Sequence, residues 1–217
     1  MIINLNLEGK KVVVVGGGNE AEKRIKSILR EKCEIIVISD SVNIEIKKLI
    51  KTKKIQLKKQ KIENTKFISE LKPDIVITTT NDKKINQKII NFAKKKKITV
   101  YSADNPEDSD FSNAAVIDFE KIIQIGIFTG GKSPAMSKKI KLKAENALKK
   151  VILKEDIAQI KIQKNSRKLA KEIINNQFER KECLNIIMND NYIDQLIKDG
   201  QIKKAERRAI EIIKKWK

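Results

Sequence analysis

VVVVGGGNEAEKR, residues 12–24, runs four valines into three glycines and then straight into a stretch with helical spacing. An apolar run without alternation is what a strand buried on both faces requires. After the glycines, Ala21, Ile25, Ile28 and Leu29 recur at helical intervals, which predicts a helix from Ala21 to Lys32. The turn between strand and helix admits two readings, a loop that cradles phosphate or only a tight bend. Gly16-Gly17-Gly18-Asn19-Glu20-Ala21 fits the pattern G-x-G-x-x-A. In that pattern Gly16 permits the turn, Gly18 lets the backbone approach a pyrophosphate, and Ala21 lets the helix pack closely on the sheet. The positive end of the helix then faces the phosphates. Strand before and helix after are the context the pattern needs, so the turn reads as more than a bend.

Outward from that turn, strands and helices alternate. EIIVISD (34–40) is a second buried strand, the stretch around Ile55 a weaker third, PDIVITTTND (73–82) a fourth opened by Pro73, and ITVYSAD (98–104) a fifth. Asp82 to Lys94 is helical in pattern. Strands and helices in that alternation predict an α/β fold, a Rossmann-like parallel sheet built from right-handed crossovers. After Asp104 the pattern changes. NPEDSDFSN is a polar loop, AAVIDFEKIIQIGIFTGG reads as two strands in immediate succession, and almost everything from Pro134 is helical. The expected division is a Rossmann-like NAD-binding domain over 1–112, a small strand-containing linker domain over 113–150, and a helical C-terminal domain over 151–217.

Composition narrows the function. Among 217 residues, Lys and Arg number 48 against 28 Asp and Glu, a formal charge of +20. Such a charge favours an anionic partner, although the abundance of Ile, Lys and Asn reads largely as compositional bias. There is no histidine, and Cys33 and Cys183 stand far apart, so neither a Cys/His zinc site nor a disulfide framework is expected, and no metal site is predicted. No apolar run approaches the ~20 residues of a membrane span, and MIINLNLEGK lacks a signal-peptide pattern. A cytoplasmic protein with no membrane association is the expectation. Aromatic residues make up 4% of the chain, too few for stacking on single-stranded nucleic acid, and the basic tail has no helix-turn-helix signature; no nucleic-acid partner is expected.

Two further positions bear on a cofactor. Asp40 ends the second strand, where an acidic residue binds the ribose hydroxyls of NAD and disfavours the 2′-phosphate of NADP; the plainer alternative is a loop cap. Thr78, Thr79 and Thr80 end the fourth strand at the carboxyl edge of the sheet, where ligands of this fold class gather. Threonine also simply suits strands, yet Thr79 and Thr80 are placed to line the nicotinamide side.

Four motifs then coincide in order and spacing over about residues 1–150: VVVVGGGNEAEKR, ITTTND, the D-x-P-x-x-x-x-F loop from Asp104 to Phe111, and TGGKSPAM. Together they resemble the precorrin-2 dehydrogenase family, the dehydrogenase and ferrochelatase module of siroheme synthases. TGGKSP and the aspartate loop are more specific than the glycines. The resemblance implies a homodimer, with 113–150 as its dimerisation domain, in which NAD takes a hydride from precorrin-2 to give sirohydrochlorin. Some members then insert ferrous iron, so Fe2+ is a further implied substrate. By the same resemblance Asp104 matches the catalytic residue, Asn19 and Glu20 match cofactor-binding positions after the glycines, and Asp40 with Ser41 match those after the second strand. Three departures stand out: Tyr101 where the family often has asparagine, Ala114 in place of a proline, and Lys23-Arg24 in reversed order.

The chemistry agrees with these residues. Dehydrogenating a reduced tetrapyrrole needs a hydride acceptor over the ring and a base for the accompanying proton, and in a chain without histidine a carboxylate is the obvious base. The alternative for Asp104 is an Asx-type turn before Asn105-Pro106. In TGGKSP, Lys132 and Ser133 with the backbone amides suit an acidic group of the substrate, while Ser133 as N-cap with Pro134 at the first helical position is a compatible structural role. Lys138, Lys139, Lys141 and Lys143 read as a solvated face, and Phe111 and Trp216 as core or dimer contacts. The competing function is an NAD-sensing regulatory Rossmann protein, which has no need of Asp104 or TGGKSP.

Overall fold

The structure, a computed structural model, describes residue 3 and residues 5–216. Five parallel strands form one sheet: β1 (Lys11–Val15), β2 (Glu34–Ser39), β3 (Gln56–Lys59), β4 (Ile75–Thr78) and β5 (Thr99–Ser102), in the order β3-β2-β1-β4-β5. The valine run is the central strand, with Val14 opposite Val37 on one side and Ile77 on the other. Its side chains alternate between two cores. Val13 and Val15 pack with Phe67, Ile68, Ile89 and Ile90, which come from α3 (Lys66–Leu71) and α4 (Lys83–Lys95). Val12 and Val14 pack with Ala21, Ile25 and Ile46, from α1 (Asn19–Ile28) and α2 (Ile44–Lys51). All four valines have no exposed surface, which is why the run shows no polar alternation. Each such side chain contributes about 1.5–3 kcal/mol by burial.

This topology also fixes where a ligand sits. From β1 the chain builds outward to β2 and β3, then returns to place β4 against the other side of β1. The crevice between the carboxyl ends of β1 and β4 is the topological switch point, where ligands of open α/β sheets bind.

The α/β fold expected from the sequence is present, with some element ends displaced. α1 stops at Ile28 rather than reaching Lys32, whose φ of +51° turns the chain back toward β2. β5 ends at Ser102, leaving Asp104 on the loop beyond. α2 and α3 run only 8 and 6 residues, and α2 opens at Asn43, whose side chain accepts the Ile46 N–H at 2.9 Å.

The chain divides into two compact units, Met1–Asn113 and Ala114–Lys217. The second holds an antiparallel hairpin of β6 (Ala115–Phe119) and β7 (Ile123–Ile127), then α5 (Pro134–Leu148), α6 (Lys154–Ile173), α7 (Gln177–Met188), α8 (Asn191–Lys198) and α9 (Ile202–Lys214). Residues of α6 to α9 share a core that includes Ile162, Cys183, Ile187, Ile193 and Ile213, with Trp216 packed against it. α5 is different. Of its residues only Ser137 is buried, while Met136, Ile140 and Leu142 stay exposed. Among the described residues no helix is long and apolar enough to cross a membrane.

Candidate functional site

The three glycines do three different things. Gly16 has φ +115°, and a Cβ there would lie 2.6 Å from Thr79 Oγ1. Gly17 tolerates a side chain even less, since its Cβ would fall 2.0 Å from the Ser41 carbonyl oxygen. Gly18 has nothing within 4 Å of that position and an ordinary backbone conformation. Neither strain nor packing calls for glycine at 18, so the open space there is room for something outside the chain. No side chain caps the start of α1 at Gly18. Its first amides, a helix's natural anion donors, are thus left without a side-chain acceptor.

These residues border a cleft of about 630 Å³, inside the ~300–1,000 Å³ span of small-molecule sites. Gly16, Gly18, Asp40, Ser41, Thr79 and Thr80 all line it, so six of the cofactor positions expected from the sequence converge on one place. Asp40 is exposed beyond β2, with the Ser41 hydroxyl donating to its Oδ1 at 3.3 Å. The cleft fits a dinucleotide: room at Gly18 for a pyrophosphate, a helix N-terminus behind it, and a carboxylate at the ribose position.

The threonine hydroxyls are spoken for. Thr79 Oγ1 donates to the Val15 carbonyl at 2.8 Å, and Thr80 Oγ1 donates to Asn86 Oδ1 at 2.6 Å. Both residues line the cleft, but their hydroxyl protons shape the loop itself. Asn43 stitches the opposite wall. Its N–H donates to Gly17 O at 2.9 Å, and its side-chain amide donates to Glu22 Oε2 at 2.6 Å and Asn19 Oδ1 at 3.3 Å. Asn19 is therefore tied to the cleft through Asn43 and does not line it.

Glu20 is also outside the lining and turns to Arg24 and Lys23. Burial works to raise its pKa, but the charge and hydrogen bond of Arg24, helped by Lys23, outweigh it and leave the carboxyl below the usual glutamate range. The Arg24 guanidinium lies 4.7 Å from the Tyr101 ring centre, and Tyr101 packs on Phe111 at 5.3 Å. Two departures from the family pattern, Tyr101 and Lys23-Arg24, thus meet. An aromatic face gives the guanidinium a stacking surface that asparagine lacks.

Asp104 stands on the same sheet edge, outside the cleft lining. The Ala103 N–H donates to Thr78 O at 3.0 Å, extending β5 past the end of β4. The buried Ser102 hydroxyl donates to Asp104 Oδ1 at 2.8 Å and accepts the Asn105 N–H at 3.2 Å. The serine, and not an Asx turn by Asp104, organises this corner. Farther along, Asp110 Oδ2 accepts the Val100 N–H at 2.8 Å and Ser109 Oγ accepts the Ser102 N–H at 2.8 Å, pinning the loop back on β5.

In the second unit, Ser133 caps α5 by accepting the Met136 N–H at 3.2 Å, with Pro134 beginning the helix. Lys132 is exposed, and Gly130 and Gly131 both have positive φ with open space around them. Among the described residues no group of three or more Asp, Glu or Cys is placed to hold a metal ion.

Sequence reasoning missed Gly17, Asn43, Asn86 and Ser102. Gly17 occupies the free position of the glycine pattern, and the other three act through partners that only the folded chain reveals. A polar residue at a helical core position, as Asn86 is between Ile85 and Ile89, was the one available signal.

Residues 3–115 match a protein-family model described as "Putative NAD(P)-binding". Over 201 residues the chain is 33% identical to the "Putative precorrin-2 dehydrogenase" of Methanocaldococcus jannaschii, covering 85% of this chain and 95% of that protein. It is 30% identical over 152 residues to the siroheme biosynthesis protein met8 of Schizosaccharomyces pombe, covering 68% of this chain but 56% of the yeast protein. In fold it is similar to the solved structure of SirC, precorrin-2 dehydrogenase, with a TM-score of 0.73 and 24% identity over 100% of both chains. What the glycine turn and its cleft suggest, the relatives make definite: this chain belongs to the precorrin-2 dehydrogenase family.

Proposed function

We propose that the protein dehydrogenates precorrin-2 to sirohydrochlorin with NAD as hydride acceptor. The observation that carries this is the open space at Gly18, facing the uncapped start of α1 on the sheet edge that also bears Asp104. NAD, when bound, supplies the hydride acceptor. The amides at Gly18 and the first turn of α1 hold its pyrophosphate, Asp40 and Ser41 its adenosine ribose, and the 79–80 backbone its nicotinamide end. Asn19 and Glu20 serve the cofactor indirectly, through Asn43 and Arg24. Asp104 takes the proton that leaves with the hydride. Ser102 occupies Oδ1, which directs the other carboxylate oxygen to the substrate. The change balances: a hydride to NAD and a proton to Asp104 and then solvent.

Lys132 and Ser133 are assigned to a carboxylate of the substrate, and the surrounding lysines of α5 suit a polyanion. The 113–150 segment is assigned to homodimerisation, because the exposed Met136 and Ile140 lie one turn apart on α5. Ferrous iron is proposed as a second substrate, with Asp104 receiving pyrrole protons as the metal enters. Two free thiols, Cys33 and Cys183, suit the reducing cytoplasm.

The test is an anaerobic mixture of the protein, precorrin-2 and either NAD or NADP, followed by visible absorbance. Sirohydrochlorin forming with NAD, and more slowly with NADP because Asp40 opposes a 2′-phosphate, is the expected result. No absorbance change with either cofactor overturns the proposal.

A further inference from the structure

Asn86 is 1% exposed, on α4, among the core residues Ile85, Ile89 and Ile90. A primary amide at such a place is costly to bury unless its hydrogen bonds are made, and leucine would serve the core better. Both ends of this amide go to a single residue. Nδ2 donates to Thr80 O at 2.9 Å, and Oδ1 accepts from Thr80 Oγ1 at 2.6 Å. Thr80 Oγ1 in turn accepts the Asp82 N–H at 3.2 Å, and Asp82 caps α4 by accepting the Lys84 and Ile85 amides at 2.9 and 3.1 Å.

The buried amide therefore holds the loop 80–82 from below. That loop lines the cleft, and the preceding Thr79 is the residue whose hydroxyl crowds Gly16. α4 is anchored in the core by four apolar residues, so the loop inherits the rigidity of the core through this amide together with the Asp82 cap. Nothing in the sheet requires the arrangement, since β4 has already ended at Thr78.

We propose that Asn86 is a positioning residue of the cofactor cleft: it touches no ligand and fixes the 80–82 backbone in the shape that receives the nicotinamide end of NAD. This rests on reading the cleft as the NAD site. The loop is held in its bound form beforehand, which spares binding the entropy of ordering it.

The experiment is a double-mutant cycle in the full chain, with Asn86→Leu, Thr80→Val and the pair together. NAD affinity is read by calorimetry and unfolding by circular dichroism. Asn86→Leu keeps the branched outline at greater volume and removes both bonds; it is expected to fold, the added apolar burial offsetting the lost bonds, yet bind NAD roughly tenfold more weakly. Thr80→Val is expected to weaken binding less, and the pair no more than Asn86→Leu alone, because both act on the same linkage. Thr80→Ser keeps the hydroxyl and should recover most of the affinity that Thr80→Val loses.

A folded Asn86→Leu with native NAD affinity overturns the proposal. So does full additivity in the pair, which would mean that Thr80 contacts the ligand independently of Asn86. If Asn86→Leu fails to fold, Asn86→Ala takes its place in the cycle. If neither folds, Thr80→Val decides: native affinity there overturns the proposal, and a loss that Thr80→Ser restores supports it. A native protein that binds no NAD overturns the cleft assignment itself, whereas native binding with unaltered variants overturns only the role of Asn86.

Discussion

Among single residues, adjacent glycines make opposite predictions. Gly18→Val places a side chain in open space, so the variant should keep the native circular dichroism and unfolding temperature while losing NAD binding by calorimetry. Gly17→Ala places a Cβ against the Ser41 carbonyl and should cost on the order of 2 kcal/mol of stability. If Gly18→Val binds NAD normally, the turn is only a bend. That Gly16, Gly18 and Asp40 meet at one cleft was legible in the sequence, because backbone geometry and spacing within one βαβ unit bring them together. Ser102 was not, for a serine near the end of a strand carries no spacing rule. Its value lies in two bonds of one hydroxyl, donated to Asp104 at 2.8 Å and accepted from the Asn105 N–H at 3.2 Å.

Among the elements, strands and long helices were legible from periodicity, and their ends were not, for a reason visible in the caps. Helices commonly finish on a left-handed glycine, and α8 does, with Gly200 at φ +72° and the Gln201 N–H returning to Leu196 O at 2.8 Å. α2 and α4 close with the same hydrogen bonds but carry Lys53 (φ +54°) and Lys97 (φ +58°) at that position. With only 8 glycines in the chain, lysine stands where the usual stop signal would be. Lys53→Gly and Lys97→Gly should each stabilise the protein by about 0.5–1 kcal/mol, read as a rise in thermal midpoint of roughly 2 °C. The start of β1 carries a pH-dependent contact. Asp74 accepts the Lys11 N–H at 2.9 Å and Lys10 Nζ at 2.9 Å, and these bonds, the backbone one foremost, hold its carboxyl below the usual aspartate range. A folded pKa below the unfolded one stabilises the protein above the unfolded value of about 3.9 and loses that contribution as pH falls through the folded value. Asp74→Asn should therefore be less stable at pH 7 by up to about 1 kcal/mol after solvent screening. Urea titrations of native and variant protein should converge in stronger acid, and a constant difference down to acid pH would contradict this.

In the molecule as a whole, the sequence disclosed the Rossmann-like domain far better than the second unit. A buried parallel sheet imposes a pattern on every strand, whereas α5 leaves Met136, Ile140 and Leu142 exposed, and such residues look like those of any helix in the sequence. If that face joins two copies, sedimentation should find twice the chain mass for the native protein and a monomer for Ile140→Glu, whose position is 39% exposed in the single chain. A native monomer would remove 113–150 from any role in assembly. Asp104, on the same sheet edge as the glycine turn but outside the cleft lining, is the only base proposed for the chemistry. The decisive experiment is NADH formation from precorrin-2 by the Asp104→Asn variant, with its NAD affinity measured alongside. An amide there still accepts the Ser102 hydroxyl but takes no proton. NAD affinity should be unchanged and the rate lower by about 10²–10⁴-fold, the usual contribution of a general base; near-native NADH formation by Asp104→Asn would contradict the assignment.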